Sequence, residues 1–171
     1  MDNTTLRIAG IADDSVVDGP GVRFTVFTQG CLHRCEGCHN PETWDTNNGY
    51  KITVDEIMKM YMENPLLTGI TFSGGEPFLQ PLPLANLADK VHETGGNVWC
   101  YTGYTMEQLT GTRKTPRRLL LLSKLDALVD GKFILAQRDL TLRFRGSRNQ
   151  RIWIKNKKSN EWEVCKEEEV A

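Results

Sequence analysis

Segments typical of β-strands alternate with segments typical of α-helices along this chain of 171 residues, and this order restricts the fold more than any other feature. Strict alternation of strand and helix favours an α/β fold with a parallel sheet and right-handed crossovers. Runs rich in β-branched and aromatic residues mark the expected strands. They lie at residues 22–29, 69–73, 97–101 and 126–130, and the short runs LRF and RIWIK nearer the C-terminus are further strand candidates.

Helix-start signals stand between these strands. Thr53 with Glu56, and Thr105 with Gln108, have the spacing of a capping box. Pro116 suits the first turn of another helix. The helix expected between the second and third strands is marked by apolar residues at helical spacing, which are Leu84, Leu87, Ala88 and Val91.

A short motif of unusual composition follows each predicted strand. A cysteine-rich loop follows the first strand, and Gly-Gly-Glu-Pro (74–77) follows the second. Thr-Gly-Tyr (102–104) follows the third strand, and Asp-Gly-Lys (130–132) closes the fourth. Parallel sheets place their ligand sites at the carboxyl ends of the strands. We therefore expect these motifs to share one edge of the sheet, where a ligand binds.

The loop TQGCLHRCEGCHN holds Cys31, Cys35 and Cys38 in the spacing C-x3-C-x2-C. Thiolates so close together suit zinc or an iron–sulfur cluster. A structural zinc site would need a fourth ligand. His33 or His39 could complete a set of three cysteines and one histidine, although neither has the usual zinc-finger spacing.

The iron–sulfur alternatives differ in the number of protein ligands. A four-thiolate cluster for electron transfer would require Cys100 or Cys165 as its last ligand. Cys100 lies in an apolar predicted strand, where buried cysteine is common, and Cys165 lies in a charged tail. The remaining alternative is a cubane cluster held by three thiolates, with one iron open to a substrate, as catalytic zinc keeps one open position.

Composition sets the expected location and partners. The formal net charge is −1, so no strong field attracts nucleic acid or anionic lipid. The N-terminal segment lacks the apolar core of a signal peptide, and the longest aliphatic run, Leu119–Leu122, is too short to span a membrane. Five cysteines, an odd number, exclude complete disulfide pairing and fit a reducing compartment. We expect a cytoplasmic protein without nucleic-acid or membrane partners, built as a single domain over residues 1–171 with its core at about 18–155 and a tail at 156–171.

The cysteine spacing resembles that of the radical S-adenosylmethionine (SAM) enzymes. More of the chain resembles one family among them, the activating proteins of anaerobic (class III) ribonucleotide reductases. The motifs that carry this resemblance are DGPGVRFTVFTQGCLHRCEGCHNPETWD, SGGEP, YTGY, LVDGKF and FRGSRNQR.

The resemblance implies the fold and the cofactors. Cys31, Cys35 and Cys38 are implied to hold a [4Fe-4S] cluster whose open iron binds the methionyl part of SAM. An electron from the cluster then cleaves SAM, and the 5′-deoxyadenosyl radical takes a hydrogen atom, so no side chain is needed as a general acid or base. The implied fold is an open, partial β/α barrel with a mostly parallel sheet, since a full barrel typically needs about 250 residues.

The resemblance also implies contacts for SAM. Gly74, Gly75 and Glu76 are implied to bind its amino group, and Thr102 occupies another matching strand end. Asp130 and Lys132 match an aspartate and a lysine near the SAM carboxylate in related activases: Lys132 suits the carboxylate, and Asp130 suits a cation or the ribose.

His39 either stacks on adenine, because Gly37 stands where many members have an aromatic residue, or is a simple loop residue. Contacts to SAM or to the partner are further implied for Arg145, Ser147, Asn149 and Gln150, and Arg23 either faces the site or is a strand-edge charge.

The implied function is the formation of a glycyl radical on the large subunit of an anaerobic ribonucleotide reductase, with a flavodoxin- or ferredoxin-type protein as electron donor. Alternatives with the same chemistry are an activase of another glycyl-radical enzyme, such as formate-lyase, and a small-molecule radical SAM enzyme. A non-catalytic zinc-binding module and a simple electron carrier are alternatives of different classes.

Overall fold

The computed structural model describes residues 2–170, which form strands, α-helices and short 3-10 turns. The strands are β1 (Thr5–Ser15), β2 (Arg23–Thr28), β3 (Tyr50–Thr53), β4 (Gly69–Gly74), β5 (Asn97–Tyr101), β6 (Ala127–Asp130), β7 (Arg151–Lys155) and β8 (Trp162–Cys165). The α-helices are α1 (Val54–Met62), α2 (Pro81–Glu93), α3 (Met106–Thr110) and α4 (Pro116–Ser123).

Within the described residues the strands form one sheet in the order β3-β1-β2-β4-β5-β6-β7-β8. The central strands β2, β4, β5 and β6 run parallel to one another. Antiparallel strands flank this centre, with β1 and β3 on one side and β7 and β8 on the other. The sheet is open, because β3 and β8 are its opposite edges. The predicted α/β class and open sheet are confirmed, and the parallel part is the centre that carries the motifs.

Most of the predicted elements are present. The predicted strands of the parallel centre correspond to β2, β4, β5 and β6, and the RIWIK candidate is β7. Both capping boxes are formed: the Thr53 and Thr105 side chains accept hydrogen bonds from the backbone N–H of Glu56 and Gln108. The expectation of a single domain over residues 1–171 stays a prediction, and its two end residues lie outside the described part.

The strand prediction for LRF, residues 142–144, is wrong. In the described structure this segment is an irregular loop rather than a strand. Phe144 has a φ of 66°, in the left-handed region that a β-strand does not use. The missed strands are β1, β3 and β8 at the antiparallel edges.

The two faces of the sheet have different surroundings. On the face that the helices cover, called the convex face below, alternate strand residues such as Phe24, Ile70 and Val98 pack into a core that includes Leu84 and Leu121. On the other face, called the concave face below, a second core contains Trp99, Ala127, Val129, Phe144, Ile152 and Val170. The alternation follows from the two-residue period of a strand.

Arg23 is buried on the concave face, at the amino end of β2. Its Nε donates a hydrogen bond to Oγ1 of Thr71 over 2.7 Å, and its guanidinium carbon lies 5.7 Å from the ring centre of Trp99. Arg23 neither faces the site nor is a strand-edge charge, because its side chain is fully buried and lies at the opposite end of β2 from the motifs.

Within residues 2–170, every helix is too short or too polar to cross a membrane.

Candidate metal and cofactor site

The cysteine loop begins where β2 ends and is held at its base by backbone hydrogen bonds. The N–H of Gly30 donates to the carbonyl of Thr43 over 2.7 Å, and the N–H of Cys31 donates to the carbonyl of Trp44 over 3.2 Å. These bonds fold the segment after the last cysteine back against its start. The position of Cys31 is therefore fixed directly at the carboxyl end of a central strand.

The Gly-Gly-Glu turn after β4 docks against this loop through backbone atoms. Gly75 N–H donates to the carbonyl of Thr28, and Glu76 N–H donates to the carbonyl of Gly30, both over 2.8 Å. Gly74 has a φ of 87°, which favours glycine. A Cβ atom at Gly75 would overlap the carbonyl oxygen of Gly30. Both glycines are required for this close approach.

Glu76 joins the loops that follow β2, β4 and β5. Its side chain is 1% exposed, and its carboxylate accepts hydrogen bonds from the Phe78 N–H (3.0 Å), the Thr102 hydroxyl (2.8 Å) and the Gly103 N–H (2.9 Å). The same carboxylate lies 2.6 Å from Nε2 of His33, in the middle of the cysteine loop. Both carboxylate oxygens are therefore engaged by the protein.

A cavity of about 520 Å³ opens beside these loops at the carboxyl ends of the parallel strands. This volume lies in the range of sites for small molecules and cofactors. The sequence-predicted site residues that line it are Cys31, His33, Cys35, Cys38, His39, Gly74, Gly75, Thr102, Arg145 and Gln150.

Other sequence-predicted residues are not among the described residues that line the cavity, namely Glu76, Asp130, Lys132, Ser147 and Asn149. Asp130 is buried, and its Oδ2 accepts from the Met106 N–H over 2.8 Å and from Nη2 of Arg151 over 2.6 Å. Asp130 therefore accepts the first backbone N–H of α3 and forms an ion pair with Arg151 of β7. Lys132 is exposed. Burial raises the pKa of the Cys35 thiol, and the positive charge of Lys132 is a smaller effect in the opposite direction.

Aromatic side chains form much of the cavity wall. His39 contacts Phe133, with ring centres 5.2 Å apart and a tilt of 47°. Phe144, which also lines the cavity, meets Trp99 edge-on with ring centres 5.6 Å apart. Tyr101 also lines the cavity, and burial raises the pKa of its hydroxyl well above the ordinary value. The wall is therefore largely apolar, as expected of a site that excludes water.

The chemistry of the three thiols fits an iron–sulfur cluster. Burial raises the pKa of Cys31 and Cys35, and backbone N–H groups of His33 and Phe133 oppose that rise. Sγ of Cys38 accepts a hydrogen bond from the Asn40 N–H over 3.4 Å. Partly buried thiols with N–H donors are typical of sites where a bound metal favours the thiolate.

The described residues contain no group of three or more His, Cys, Asp or Glu side chains arranged to hold a single metal ion. A cubane cluster does not need such a group, because each of its thiolates binds a different iron. A cavity that all three thiols share is the arrangement it requires. His33, proposed above as a zinc ligand, is instead engaged with Glu76.

Cys100 and Cys165 lie elsewhere in the described structure. Cys100 is fully buried in the convex core, where burial raises its pKa strongly. Cys165 ends β8. Neither is among the described residues that line the cavity. Their positions give no support to a fourth thiolate ligand.

The sequence reasoning missed several residues of the cavity. Phe27, Ser73 and Tyr101 lie on the concave face near the carboxyl ends of three neighbouring strands. Successive side chains of a strand point to opposite faces of the sheet. Counting back along each strand from the motif that follows it could therefore have identified these positions. Leu142, Arg143 and Phe144 also line the cavity, and their irregular backbone left no such pattern.

Comparison with known proteins agrees with this geometry. Residues 17–153 match the family model of the 4Fe-4S single cluster domain. A protein from Vibrio cholerae serotype O1 named anaerobic ribonucleoside-triphosphate reductase-activating protein is 37% identical over 146 residues, which cover 80% of this chain and 90% of that protein. A protein of the same name from Enterobacteria phage T4 is 34% identical over 146 residues, covering 80% and 86%. A pyruvate formate-lyase-activating enzyme from Clostridium pasteurianum is 43% identical over 94 residues, covering 52% of this chain and 40% of that enzyme.

Proposed function

Since the chain belongs to the family of anaerobic ribonucleoside-triphosphate reductase-activating proteins, we propose that its cavity holds a [4Fe-4S] cluster beside SAM and receives a glycine-bearing loop of the reductase. The chain is a radical SAM activase. The observation that carries the placement of the site is that the three thiols and the Gly-Gly turn line one cavity at the carboxyl ends of the parallel strands.

Cys31, Cys35 and Cys38 are the proposed ligands of the cluster. Their loop is tied to β2, to the Gly-Gly-Glu turn and, through His33, to Glu76. When bound, the cluster supplies an electron and SAM supplies the group that removes a hydrogen atom. The protein itself has to hold both in fixed positions and keep water out.

Gly74, Gly75, Thr102 and His39 are the proposed contacts of SAM. The two glycines leave a stretch of cavity wall without side chains, so a ligand can approach the backbone. Lys132 is proposed to supply a positive charge beside Cys35. Glu76 and Asp130 are proposed to act from behind the wall, because their oxygens already accept hydrogen bonds from protein groups.

The reductase is the proposed protein partner, and a flavodoxin- or ferredoxin-type protein is the proposed electron donor. The cysteines of the described residues are all free thiols, which supports a cytoplasmic location. The net charge of −1 supports our expectation that nucleic acid is not a partner.

The experiment is anaerobic electron paramagnetic resonance of the reconstituted protein mixed with the reductase, SAM and a reductant. We expect a glycyl doublet on the reductase. Cys35→Ala should abolish both SAM cleavage and the doublet, whereas Cys165→Ala, outside the cavity, should retain both. Turnover in Cys35→Ala would refute the cluster role.

The similarity to a formate-lyase-activating enzyme makes that activity the second candidate. The same measurement with formate-lyase in place of the reductase separates the two. A doublet on formate-lyase alone would reassign the partner and leave the cluster chemistry unchanged.

A further inference from the structure

We propose that Glu167, in the tail after β8, is a positioning residue that fixes one wall of the cavity. The wall consists of residues 142–146, which line the same cavity as the three thiols. The contact of Glu167 with this wall does not depend on the proposed function, whereas its consequence for SAM chemistry rests on that function.

The tail reaches the cavity because of the strand directions. β7 pairs with β6 from Asp130 opposite Arg151 and runs away from the cavity edge. β8 returns antiparallel to it and ends with Cys165 opposite Ile152, near the cavity edge. The 3-10 turn Glu167–Glu169 follows, and Val170 is then buried in the concave core.

Glu167 binds the wall on both sides of its bend. One carboxylate oxygen accepts the backbone N–H of Arg143 over 2.9 Å, and the other accepts Nε–H of Arg145 over 2.7 Å. The two side chains of the ion pair are only 21% (Arg145) and 17% (Glu167) exposed. Such partly buried, charge-assisted hydrogen bonds are stronger than those of exposed pairs.

The bend needs this support because Phe144, between the two arginines, has a φ of 66°. A bulky residue in the left-handed region is strained and persists only where its surroundings hold it. Phe144 packs edge-on against Trp99, and Glu167 holds both of its neighbours. Without the carboxylate, the strain favours release of the bend.

The wall is also connected to the strand end at β6. Nη1 of Arg145 donates to the carbonyl of Gln150 over 2.7 Å. The side chain of Gln150 accepts the Gly146 N–H over 2.9 Å and donates to the Gly131 carbonyl over 3.1 Å. Movement of Arg145 would therefore reach the loop after β6. A released wall would admit water and hold the ligands less well, so SAM would be cleaved without producing a glycyl radical.

The first test needs no cofactor. Trypsin cleaves after Arg143 and Arg145 only when the bend opens, and the exposed Arg113 provides an internal reference site. We expect Glu167→Gln to accelerate cleavage after Arg143 and Arg145 about tenfold relative to Arg113. Glu168→Gln, at the exposed neighbouring position, should leave the rates unchanged. Equal rates in the two variants would overturn the proposal.

The second test measures coupling in the reconstituted protein with the reductase. Glu167→Gln should raise the ratio of SAM cleaved to glycyl radical formed several-fold, while its unfolding free energy falls by no more than the tenfold change in opening, about 1.4 kcal/mol. A lower urea midpoint with unchanged coupling would mean a purely structural role and would overturn the proposal. If the wild-type protein formed no radical, the proposed function would fail, and the trypsin result would still decide the role of Glu167 in holding the wall.

Discussion

Nε2 of His33 lies 2.6 Å from a carboxylate oxygen of Glu76, so the middle of the cysteine loop is tied to the Gly-Gly-Glu turn. The His33 ring also meets Tyr104 edge-on, with ring centres 4.6 Å apart. A Cβ atom at Gly103 would overlap the His33 ring. The loops after three neighbouring strands therefore meet at this pair, and His33 itself lines the cavity that the three thiols share.

We expect His33→Ala to destabilise the protein by about 1–3 kcal/mol, because it leaves a buried carboxylate without one of its partners. It should also lower the iron and sulfide bound after anaerobic reconstitution, since the cysteine loop loses its tie to Glu76. Urea unfolding and iron and sulfide analysis measure the two effects. His92→Ala, which removes a more exposed histidine paired with Asp126, is the matched control. Equal iron content in the two variants would show that the tie does not hold the loop.

Arg151 bridges a buried and an exposed carboxylate, and we expect them to contribute unequally. Asp130→Asn should cost about 3 kcal/mol or more, because it disrupts a buried ion pair and the hydrogen bond from the first backbone N–H of α3. Glu107→Gln should cost less than about 1 kcal/mol, because the Glu107 side chain is 64% exposed and solvent screens the pair. Urea unfolding at neutral pH compares them. Similar losses in the two variants would contradict this ranking.

The contribution of Glu107 should also depend on pH. Hydrogen bonds from Arg151 lower the pKa of Glu107 from its ordinary value of 4.5 toward about 2, and solvent screening of this exposed side chain keeps the energetic effect of the pair below about 1 kcal/mol. A carboxyl whose pKa is lower in the folded protein stabilises the fold above the unfolded pKa and loses that effect as the pH falls through the folded one. The difference in unfolding free energy between wild type and Glu107→Gln should therefore shrink as the pH falls from about 4.5 to about 2. A constant difference over that window would count against the pair.

Arg23 is expected to be a stability residue rather than a site residue. Burial lowers its pKa to about 10, so the guanidinium remains charged at neutral pH, where it donates to Thr71 and to the Ile70 carbonyl. Arg23→Ala should cost about 3 kcal/mol or more, because it leaves a cavity beside Trp99 and removes several hydrogen bonds. Arg23→Lys should cost less, since it keeps the charge but loses the planar fork. Urea unfolding, with the exposed Lys59→Ala as control, checks this order. The interpretation would be wrong if Arg23→Ala unfolded at the urea midpoint of the control.

Elements with local signals were predictable from the sequence. The capping box of Thr53 with Glu56 and the proline at position 116 both stand at observed helix starts. The edge strands β1, β3 and β8 were not predictable, because their pairing depends on partners that are distant in the sequence. β1 contains Gly10 and the exposed Asp13 and Asp14, and it is a strand through its pairing with β2 and β3.

The same distinction applies to the site. The thiols and the Gly-Gly turn follow strands directly, so their place at one edge of the sheet followed from topology. The orientation of Glu76 depends on Thr102 and Gly103, more than 20 residues further along the chain. The contact of Glu167 with Arg145 likewise joins residues 22 positions apart. Spacing within a motif carries no information about such partners.

Gly75→Ala should disrupt the contact between the Gly-Gly-Glu turn and the cysteine loop. A Cβ atom there would lie 2.9 Å from the carbonyl carbon of Gly30 and from the carbonyl oxygen of Thr28, and closer still to the Gly30 oxygen. These are backbone atoms at the start of the cysteine loop. They cannot move aside as the end of a flexible side chain could. We expect a loss of about 1–3 kcal/mol of stability, typical of overpacking.

The same substitution should reduce the iron bound on reconstitution, because relief of the overlap moves the start of the cysteine loop. Gly10→Ala is the matched control, since a Cβ atom at Gly10 would have no neighbour within 4 Å. The control should retain wild-type iron content and a nearly unchanged urea midpoint. If Gly75→Ala bound as much iron as Gly10→Ala, the two motifs would not depend on one another, and the cluster would be held by the cysteine loop alone.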